Sequence, residues 1–206
     1  MLYPWSALVY LPIVQHTANA LGLESEHIVC YNNQILRADE VFWVGPVAQH
    51  DRRKSQTLRD LVSRLVPATP APGAPRRLYV TRPPGANRPI PNQSALEELA
   101  RARGYHVVEP STLSFPEQVA LFHGADHVLG PMGAALTNTM FMRPGTRVSM
   151  FTTRRVDPFF WAIARLMGLR FDWIFTGDAE AWTTEMQTEP WHIDPARFAG
   201  LLPWLD

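Results

Sequence analysis

Two arginines, Arg82 and Arg88, lie in a proline- and glycine-rich segment, residues 82–92 (RPPGANRPIPN), directly after a predicted strand. A guanidinium group is planar and always charged, and it can donate to two phosphate oxygens at once. Two such groups on one loop therefore suit a diphosphate. The alternative is a pair of solvated surface arginines, and this segment alone leaves both interpretations open.

A second segment, residues 128–145 (VLGPMGAALTNTMFMRPG), could also bind an anion. Gly130, Gly133, Ala134 and Ala135 leave little side-chain bulk between a predicted strand and a predicted helix. Such a loop lets an anion approach the backbone, and the helix offers unpaired N–H groups and the positive end of its dipole. The alternative is a tight strand-to-helix turn that packs close to a sheet.

Other polar residues have ordinary structural interpretations. Glu117 closes a predicted capping box with Ser114, with a contact to a ribose hydroxyl as a secondary role. Gln118, one residue on, has no capping role and is a weak candidate for a polar contact. His123 and His127 have the i,i+4 spacing of a metal pair, but a glycine between them interrupts the helix that such ligation needs, so we predict structural histidines.

Composition limits the class of protein. The chain has 206 residues, 46% of them hydrophobic, which is enough to bury a core, and its 19 basic residues balance its 19 acidic ones. A net charge of zero argues against broad nucleic-acid binding. The single cysteine, Cys30, excludes an intrachain disulfide and is predicted to be a small buried residue.

The apolar N-terminus has no basic segment and is interrupted by Pro12, so we expect no secretory signal and no membrane span. The expected location is cytoplasmic, at most peripheral to a membrane.

The chain after residue 76 alternates strands and helices, which would position these candidate residues. Such alternation predicts an α/β fold, a Rossmann-like parallel sheet flanked by helices. Ligands of these sheets bind beyond the carboxyl ends of the strands, so the loops after residues 81, 108, 129 and 151 would share one rim. The predicted strands are 78–81, 105–108, 127–129, 147–151 and 170–175; the predicted helices are 94–103 (with a Ser94–Glu97 capping box), 114–122, 134–142 and 158–167.

The region before residue 76 predicts a separate, smaller unit. Residues 67–75 (PATPAPGAP) contain four prolines and favour a stiff, extended linker. We predict a remnant of an N-terminal α/β half at 1–66, a linker at 67–76 and a C-terminal domain at 77–206; the alternative is a long surface loop within one domain. The predicted elements of the first part are a helix at 10–22 ended by Gly22, strands at 27–31 and 41–44, and a helix at 51–65 with Asp51 as N-cap.

The last quarter of the chain carries no motif around its polar residues, Asp172 and His192. Its tryptophans are predicted to serve core and tail packing rather than a sugar platform: Trp161, Trp173, Trp182, Trp191 and Trp204.

Residues 79–151 resemble the catalytic domain of glycosyltransferase family 61, which includes bacterial capsular polysaccharide biosynthesis proteins and plant xylan glycosyltransferases. The matching residues are Thr81-Arg82, RPIPNQ at 88–93, LSFPEQVALF at 113–122, GPMGAALTN at 130–138 and FMRPG at 141–145.

The resemblance implies a GT-B-like architecture with a truncated N-terminal half. It also implies sugar transfer with inversion, without a metal or another cofactor, from a nucleotide-sugar donor such as a UDP-sugar to a glycan or polysaccharide acceptor hydroxyl. The catalytic base is not identified. The donor-binding residues would be Arg82, Arg88, Asn92, Glu117, Gln118, Gly130, Met132, Gly133, Ala134, Ala135 and Asn138.

The chain departs from the family pattern at two positions. The family histidine is Met132 here, and the family glutamate after Asn92 is Gln93. Methionine carries no charge and donates no hydrogen bond. Family members also have a longer N-terminal region. A short N-terminal half would leave apolar surface exposed, and a partner or a second copy of the chain would cover that surface. A second hypothesis is therefore a degenerate nucleotide-sugar-binding or scaffold module, and a third is an unrelated α/β nucleotide-binding protein.

Overall fold

In the computed structural model the described residues form two parallel sheets of unequal size. The small sheet pairs β1 (Leu2–Pro4) with β2 (Val29–Tyr31). The structure describes residues 2–4 (backbone only), 10–32, 35, 37–40, 54–83, 85–86, 88–152, 157–176, 191 and 193–202. The large sheet contains β3 (Arg77–Val80), β4 (His106–Val108), β5 (His127–Pro131), β6 (Arg147–Thr152) and β7 (Arg170–Phe175).

The large sheet is parallel throughout, and its strand order is β4-β3-β5-β6-β7. Its central strands are apolar and buried, as expected for a sheet that is covered on both faces. The chain first moves outward from β3 to β4, then returns to β5 on the other side of β3. That reversal is a topological switch point, where the loops after β3 and β5 diverge and leave a crevice. The predicted α/β fold is confirmed, and the GT-B-like arrangement stays a prediction.

The helices of the described residues are α1 (Leu11–Ala20), α2 (Gln56–Leu65), α3 (Gln93–Ala102), α4 (Phe115–Gly124), α5 (Pro158–Met167) and α6 (Pro195–Leu201). α3 packs with α6, whereas α4 and α5 pack on the 3₁₀ segment Ala134–Phe141, and α1 and α2 contact each other as well as α4 and α5, respectively. None of the described helices has the length and apolar character that a membrane span requires. The 3₁₀ segments of the described residues are Ser25–His27, Pro110–Thr112 and Ala134–Phe141.

Two predicted helix starts were wrong. The helix predicted from residue 51 begins at Gln56, because Ser55 is the N-cap and its side chain accepts a hydrogen bond from the Thr57 N–H at 3.0 Å. The predicted Ser94–Glu97 capping box does not form. Glu97 instead accepts a hydrogen bond from the Thr81 hydroxyl at 2.5 Å, which ties α3 to the end of β3.

Some of the other predictions were confirmed, and others were wrong or fall on residues that the structure does not describe. The helix at 158–167 and the strand at 170–175 have the predicted bounds. The predicted helix at 134–142 is a 3₁₀ segment, Ala134–Phe141. Cys30, predicted to be buried, is partly exposed. Asp51 and the strand predicted at 41–44 lie outside the described residues.

The region before the proline-rich segment contributes to the main core. Leu58 and Val62 of α2 are buried in the same apolar cluster as the strands of the large sheet. α1 contacts α4, and α2 contacts α5. The boundaries predicted at residues 66 and 77 stay predictions.

A chain of hydrogen bonds crosses the large sheet, from the buried Tyr105 and His127 to the partly exposed Asp172. The Tyr105 hydroxyl lies 2.9 Å from Nδ1 of His127, and Nε2 of His127 donates to Ser149 Oγ at 2.9 Å. Ser149 in turn donates to Asp172 Oδ2 at 2.8 Å, and Nε of Arg147 donates to the same oxygen at 2.7 Å. The directions at Ser149 follow because the Asp172 carboxylate can only accept, which leaves the Ser149 oxygen to accept from Nε2 of His127. The arrangement uses both ring nitrogens of His127 in the core.

Asp172 is the charged end of this network. Burial raises the pKa of the Asp172 carboxyl, but hydrogen bonds from Arg147 and Ser149 outweigh burial and hold that pKa below its ordinary value. Such a group stabilises the fold above its unfolded-state pKa of about 3.9, and this contribution disappears as pH falls through the lower folded-state pKa. We expect Asp172→Asn to lower the free energy of unfolding near neutral pH by about 1 kcal/mol, a modest value because the side chain is one-third exposed.

Denaturant unfolding of the wild type and Asp172→Asn across the acid range measures this difference. It should shrink steadily as pH falls below about 4. A difference that stays constant throughout that range would contradict the role of the charge.

Candidate functional site

A cleft of about 800 Å³ opens at the carboxyl ends of β3, β4 and β5. Arg82 follows β3, Glu109 follows β4 and Gly133 follows β5, and all three line the cleft. These are the strands around the switch point, where ligands of doubly wound sheets bind. The facing wall comes from α1 and α2 and is mostly apolar; its residues include Ile13, Leu58, Leu61, Val62 and Leu65.

Arg82 joins the ends of two neighbouring strands. Its side chain is buried, and its Nη2 donates to the carbonyl oxygen of Met132 at 2.6 Å. Its own carbonyl oxygen accepts from the Gln93 side-chain amide at 3.0 Å. The guanidinium group also lies against Gly133, with Nη2 at 3.6 Å from the place that a Cβ would occupy there. The two predicted anion-binding segments therefore meet at this arginine.

Arg88 lies beside the same aromatic ring as Arg82. The guanidinium carbons of Arg82 and Arg88 lie 4.8 and 5.3 Å from the ring centroid of Trp191, within the range of cation–π contacts. Arg88 also has a left-handed backbone, with φ of 61°. The sequence-based alternative of two separate solvated arginines does not describe this geometry.

The electrostatics of the rim favour an anion. Burial and, to a smaller extent, the positive charge of Arg88 together lower the pKa of Arg82 to about 10, while Tyr79 opposes the shift. Two guanidinium groups on one ring repel each other, and burial removes the water that would screen them. A bound anion would offset the repulsion between the two guanidinium groups and would replace the water that burial removes.

The small-residue loop lines the cleft next to Arg82. Gly133 has extended backbone angles (φ −177°, ψ 167°) that any residue can adopt, and it caps the 3₁₀ segment Ala134–Phe141. Ala134 and Ala135 form the first turn and line the cleft. The first N–H groups of a helix have no acceptor within it, so they can donate to an anion.

A polar pair lies on the same wall. The Asn138 side-chain amide donates to Gln118 Oε1 at 2.8 Å, and the Gln118 amide donates to the Leu113 carbonyl at 3.0 Å. Both Gln118 and Asn138 line the cleft. The pair also joins α4 to the 3₁₀ segment that carries the loop.

Two predicted donor-binding residues lie outside the cleft lining and have other partners. The Asn92 side-chain amide donates to the Ile193 carbonyl at 2.6 Å. Glu117 is exposed at the start of α4, where its carboxylate accepts from the Ser114 N–H and hydroxyl at 2.7 and 2.6 Å. These hydrogen bonds hold the pKa of Glu117 below its ordinary value. The second predicted capping box is thus confirmed.

Gly130 and Met132 also lie outside the cleft lining, in the core. A Cβ at Gly130 would be 2.9 Å from the Val80 carbonyl oxygen, so the absence of a side chain lets β5 pack against β3. The Met132 side chain is 2% exposed, and its sulfur lies 3.9 Å from the Thr152 hydroxyl. At this position it is the backbone carbonyl, rather than the side chain, that contacts Arg82.

Sequence reasoning missed two residues of the site. Trp191 is buried in the core, as predicted, but nothing in its sequence neighbourhood indicates two arginine partners. Glu109 could have been found, since it follows a predicted strand on the expected rim; its carboxylate accepts from the Ser111 hydroxyl at 2.6 Å. His192, Trp182 and Trp204 lie outside the described residues.

Within the part of the chain that the structure describes, no three His, Cys, Asp or Glu side chains come close enough to hold a metal ion. His123 is buried, and its Nδ1 lies 2.9 Å from the Phe141 carbonyl oxygen. His123 and His127 thus have separate partners on the 3₁₀ segment and on the sheet.

In a comparison with protein families, the model described as Glycosyltransferase 61 matches residues 1–149 of the chain. The matched range includes α1, α2 and the Gly133 loop, and it ends before Trp191. No curated protein matches the chain.

The two glycines of the loop should respond differently to an added methyl group. Gly130→Ala places a Cβ against backbone, so we expect a loss of roughly 1–3 kcal/mol in the free energy of unfolding. Gly133→Ala meets only ordinary contacts at 3.6 Å or more, so stability should change by less than about 0.5 kcal/mol. Its methyl group would instead obstruct an anion at the loop, weakening pyrophosphate binding by about 1 kcal/mol or more.

Thermal melting and calorimetric titration of both variants measure these effects. Wild-type pyrophosphate affinity in Gly133→Ala would show that the anion does not approach this loop. Wild-type stability in Gly130→Ala would contradict the close packing of β5 on β3.

Proposed function

The chain belongs to glycosyltransferase family 61, and on that basis we propose that it transfers a sugar from a nucleotide-sugar donor, a UDP-sugar, to a hydroxyl group of a glycan or polysaccharide acceptor. The observation that carries the proposal is the convergence of Arg82, Arg88 and the Gly133 loop on one cleft at the switch point of the sheet.

The proposed donor site binds the diphosphate between two kinds of group. Arg82 and Arg88 supply charge and paired donors, and the N–H groups at the start of the 3₁₀ segment supply backbone donors. When the bond between the sugar and the diphosphate breaks, negative charge grows on the leaving oxygen. Preorganised donors at that position stabilise the transition state, and here they would act without a metal ion.

The proposed catalytic base is Glu109. Among the described residues that line the cleft, it has the one carboxylate group. In a transfer with inversion, the acceptor oxygen attacks the anomeric carbon while the diphosphate leaves from the opposite face, and the base takes the acceptor proton. The Ser111 hydroxyl, which donates to Glu109, would orient the carboxylate.

The second candidate is a module that binds a nucleotide sugar without transferring it. It is favoured by Met132 and Gln93, which replace a histidine and a glutamate of the family pattern. In this chain Met132 is buried away from the cleft, and Gln93 holds the backbone of Arg82. Both residues are therefore compatible with donor binding, and only turnover separates the two candidates.

Calorimetric titration with UDP, UDP-GlcNAc and UDP-xylose tests the donor site. We expect Arg82→Met to weaken the binding of UDP at least about tenfold, since hydrogen bonds to charged groups contribute roughly 1.5–3 kcal/mol. The matched control is Arg165→Met, which removes an arginine that lies 5.5 Å from the Trp161 ring and does not line the cleft.

Loss of affinity in Arg82→Met alone would support the site. Equal affinity in the wild type and Arg82→Met, or no binding of any of the three ligands to the wild type, would contradict it.

Glu109→Gln tests the base. We expect this variant to bind UDP within about twofold of the wild type, because the amide keeps the shape of the carboxylate, and to lose sugar transfer by roughly 10²–10⁴-fold. The rate of sugar transfer is measured as the release of UDP from the UDP-sugar that binds in the titration, in the presence of an oligosaccharide acceptor. Glu98→Gln, on the exposed side of α3, is the control. Transfer at the wild-type rate in Glu109→Gln would exclude this residue as the base.

A further inference from the structure

Arg82 and Arg88 lie close to each other although their charges repel. Each guanidinium group is near the Trp191 ring, at 4.8 and 5.3 Å from its centroid. The negative face of an indole ring attracts cations, and this attraction strengthens where water is excluded. Trp191 is 4% exposed and Arg82 is 9% exposed, so the contact with Arg82 is largely dry.

Trp191 is itself tied to the arginine loop. Its backbone N–H donates to the carbonyl oxygen of Pro89, next to Arg88, at 2.8 Å. Two residues further on, the Ile193 carbonyl accepts from the Asn92 side chain at 2.6 Å. The tryptophan is therefore bonded to the same loop whose arginines it contacts.

The segment that carries Trp191 is anchored to the large sheet. Phe198 of α6 packs edge-on against Tyr79 of β3 and Phe151 of β6, with ring centroids 6.1 and 5.9 Å apart. α6 also contacts α3. Because α6 rests on buried strands, it holds the tryptophan in a defined place relative to the end of β3.

We propose that Trp191 is a positioning residue of the diphosphate site: its indole ring holds the guanidinium groups of Arg82 and Arg88 together, ready for the anion. This inference rests on the proposed donor site. It assigns a role to a residue beyond the range that the family model matches, residues 1–149.

The physical benefit is preorganisation. An arginine side chain loses considerable rotamer freedom when it is fixed on a ligand, and that loss weakens binding unless the side chain is already ordered. Arg88 would otherwise extend from a loop whose backbone is left-handed at that residue. An aromatic face can order a guanidinium group by cation–π attraction, which does not use any of its hydrogen-bond donors.

Two substitutions separate positioning from packing. Trp191→Phe keeps an aromatic face, whereas Trp191→Leu keeps an apolar side chain without one. We expect Trp191→Leu to weaken the binding of inorganic pyrophosphate and of UDP roughly tenfold, and Trp191→Phe to weaken it less than about threefold. A purely structural role would lower the melting temperature and the affinity of both variants in parallel.

A double-mutant cycle shows whether the effect passes through the arginines. In an Arg88→Met background, Trp191→Leu should cost clearly less affinity than it does in the wild type, because one of its two partners is already absent. Trp161→Leu, which removes the ring beside Arg165, is the matched control and should leave the affinity unchanged.

A measurement without ligand completes the test. The Nε–H resonances of Arg82 and Arg88 should both shift in Trp191→Leu, because the ring current of the indole is lost, and neither should shift in Trp161→Leu.

Unshifted resonances, or equal losses of affinity in Trp191→Phe and Trp191→Leu, would overturn the positioning role. Affinity that depends on Arg82 but not on Trp191 would overturn this inference alone, whereas a wild type that binds neither pyrophosphate nor UDP would overturn the donor site as well.

Discussion

The structure depends on a buried cation at the point where the large sheet reverses. A guanidinium group removed from water is costly unless its donors and its charge are satisfied by the protein. Arg82 meets part of this requirement with the Met132 carbonyl and the Trp191 ring. Burial and the charge of Arg88 still lower its pKa to about 10, so the charged form is less stable here than in water. The surroundings of Arg82 therefore have to be built from β3, β5 and the C-terminal segment together.

This requirement explains why small and apolar residues surround the site. Gly130 lets β5 approach β3 closely enough for the Met132 carbonyl to reach Arg82, and the Met132 side chain fills the core beneath. At position 132 the backbone supplies the polar contact. This contact with Arg82 therefore does not depend on the side chain, so a methionine can provide it where the family pattern leads us to expect a histidine.

The cleft joins two chemically different walls. One contains the arginines and the Gly133 loop, at the carboxyl ends of the sheet, and the other contains apolar residues of α1 and α2. α2 shares buried residues with the core of the large sheet, so its wall is fixed relative to the rim. A ligand that fills the cleft would place its anionic part against one wall and its less polar part against the other.

The sequence by itself determined the alternating elements and the shared rim. Apolar periodicity and N-caps are local signals, so the bounds of α5 and β7 were predicted correctly, and a parallel sheet requires the residues after β3 and β5 to be neighbours. The tertiary structure alone decided which partners those residues have: Glu97 bonds Thr81 instead of capping its helix, and Trp191 contacts two arginines from a distant part of the chain. The physical reason is that a local pattern reports which face of an element is buried, whereas the partner of a buried polar group depends on contacts between elements that are far apart in the chain.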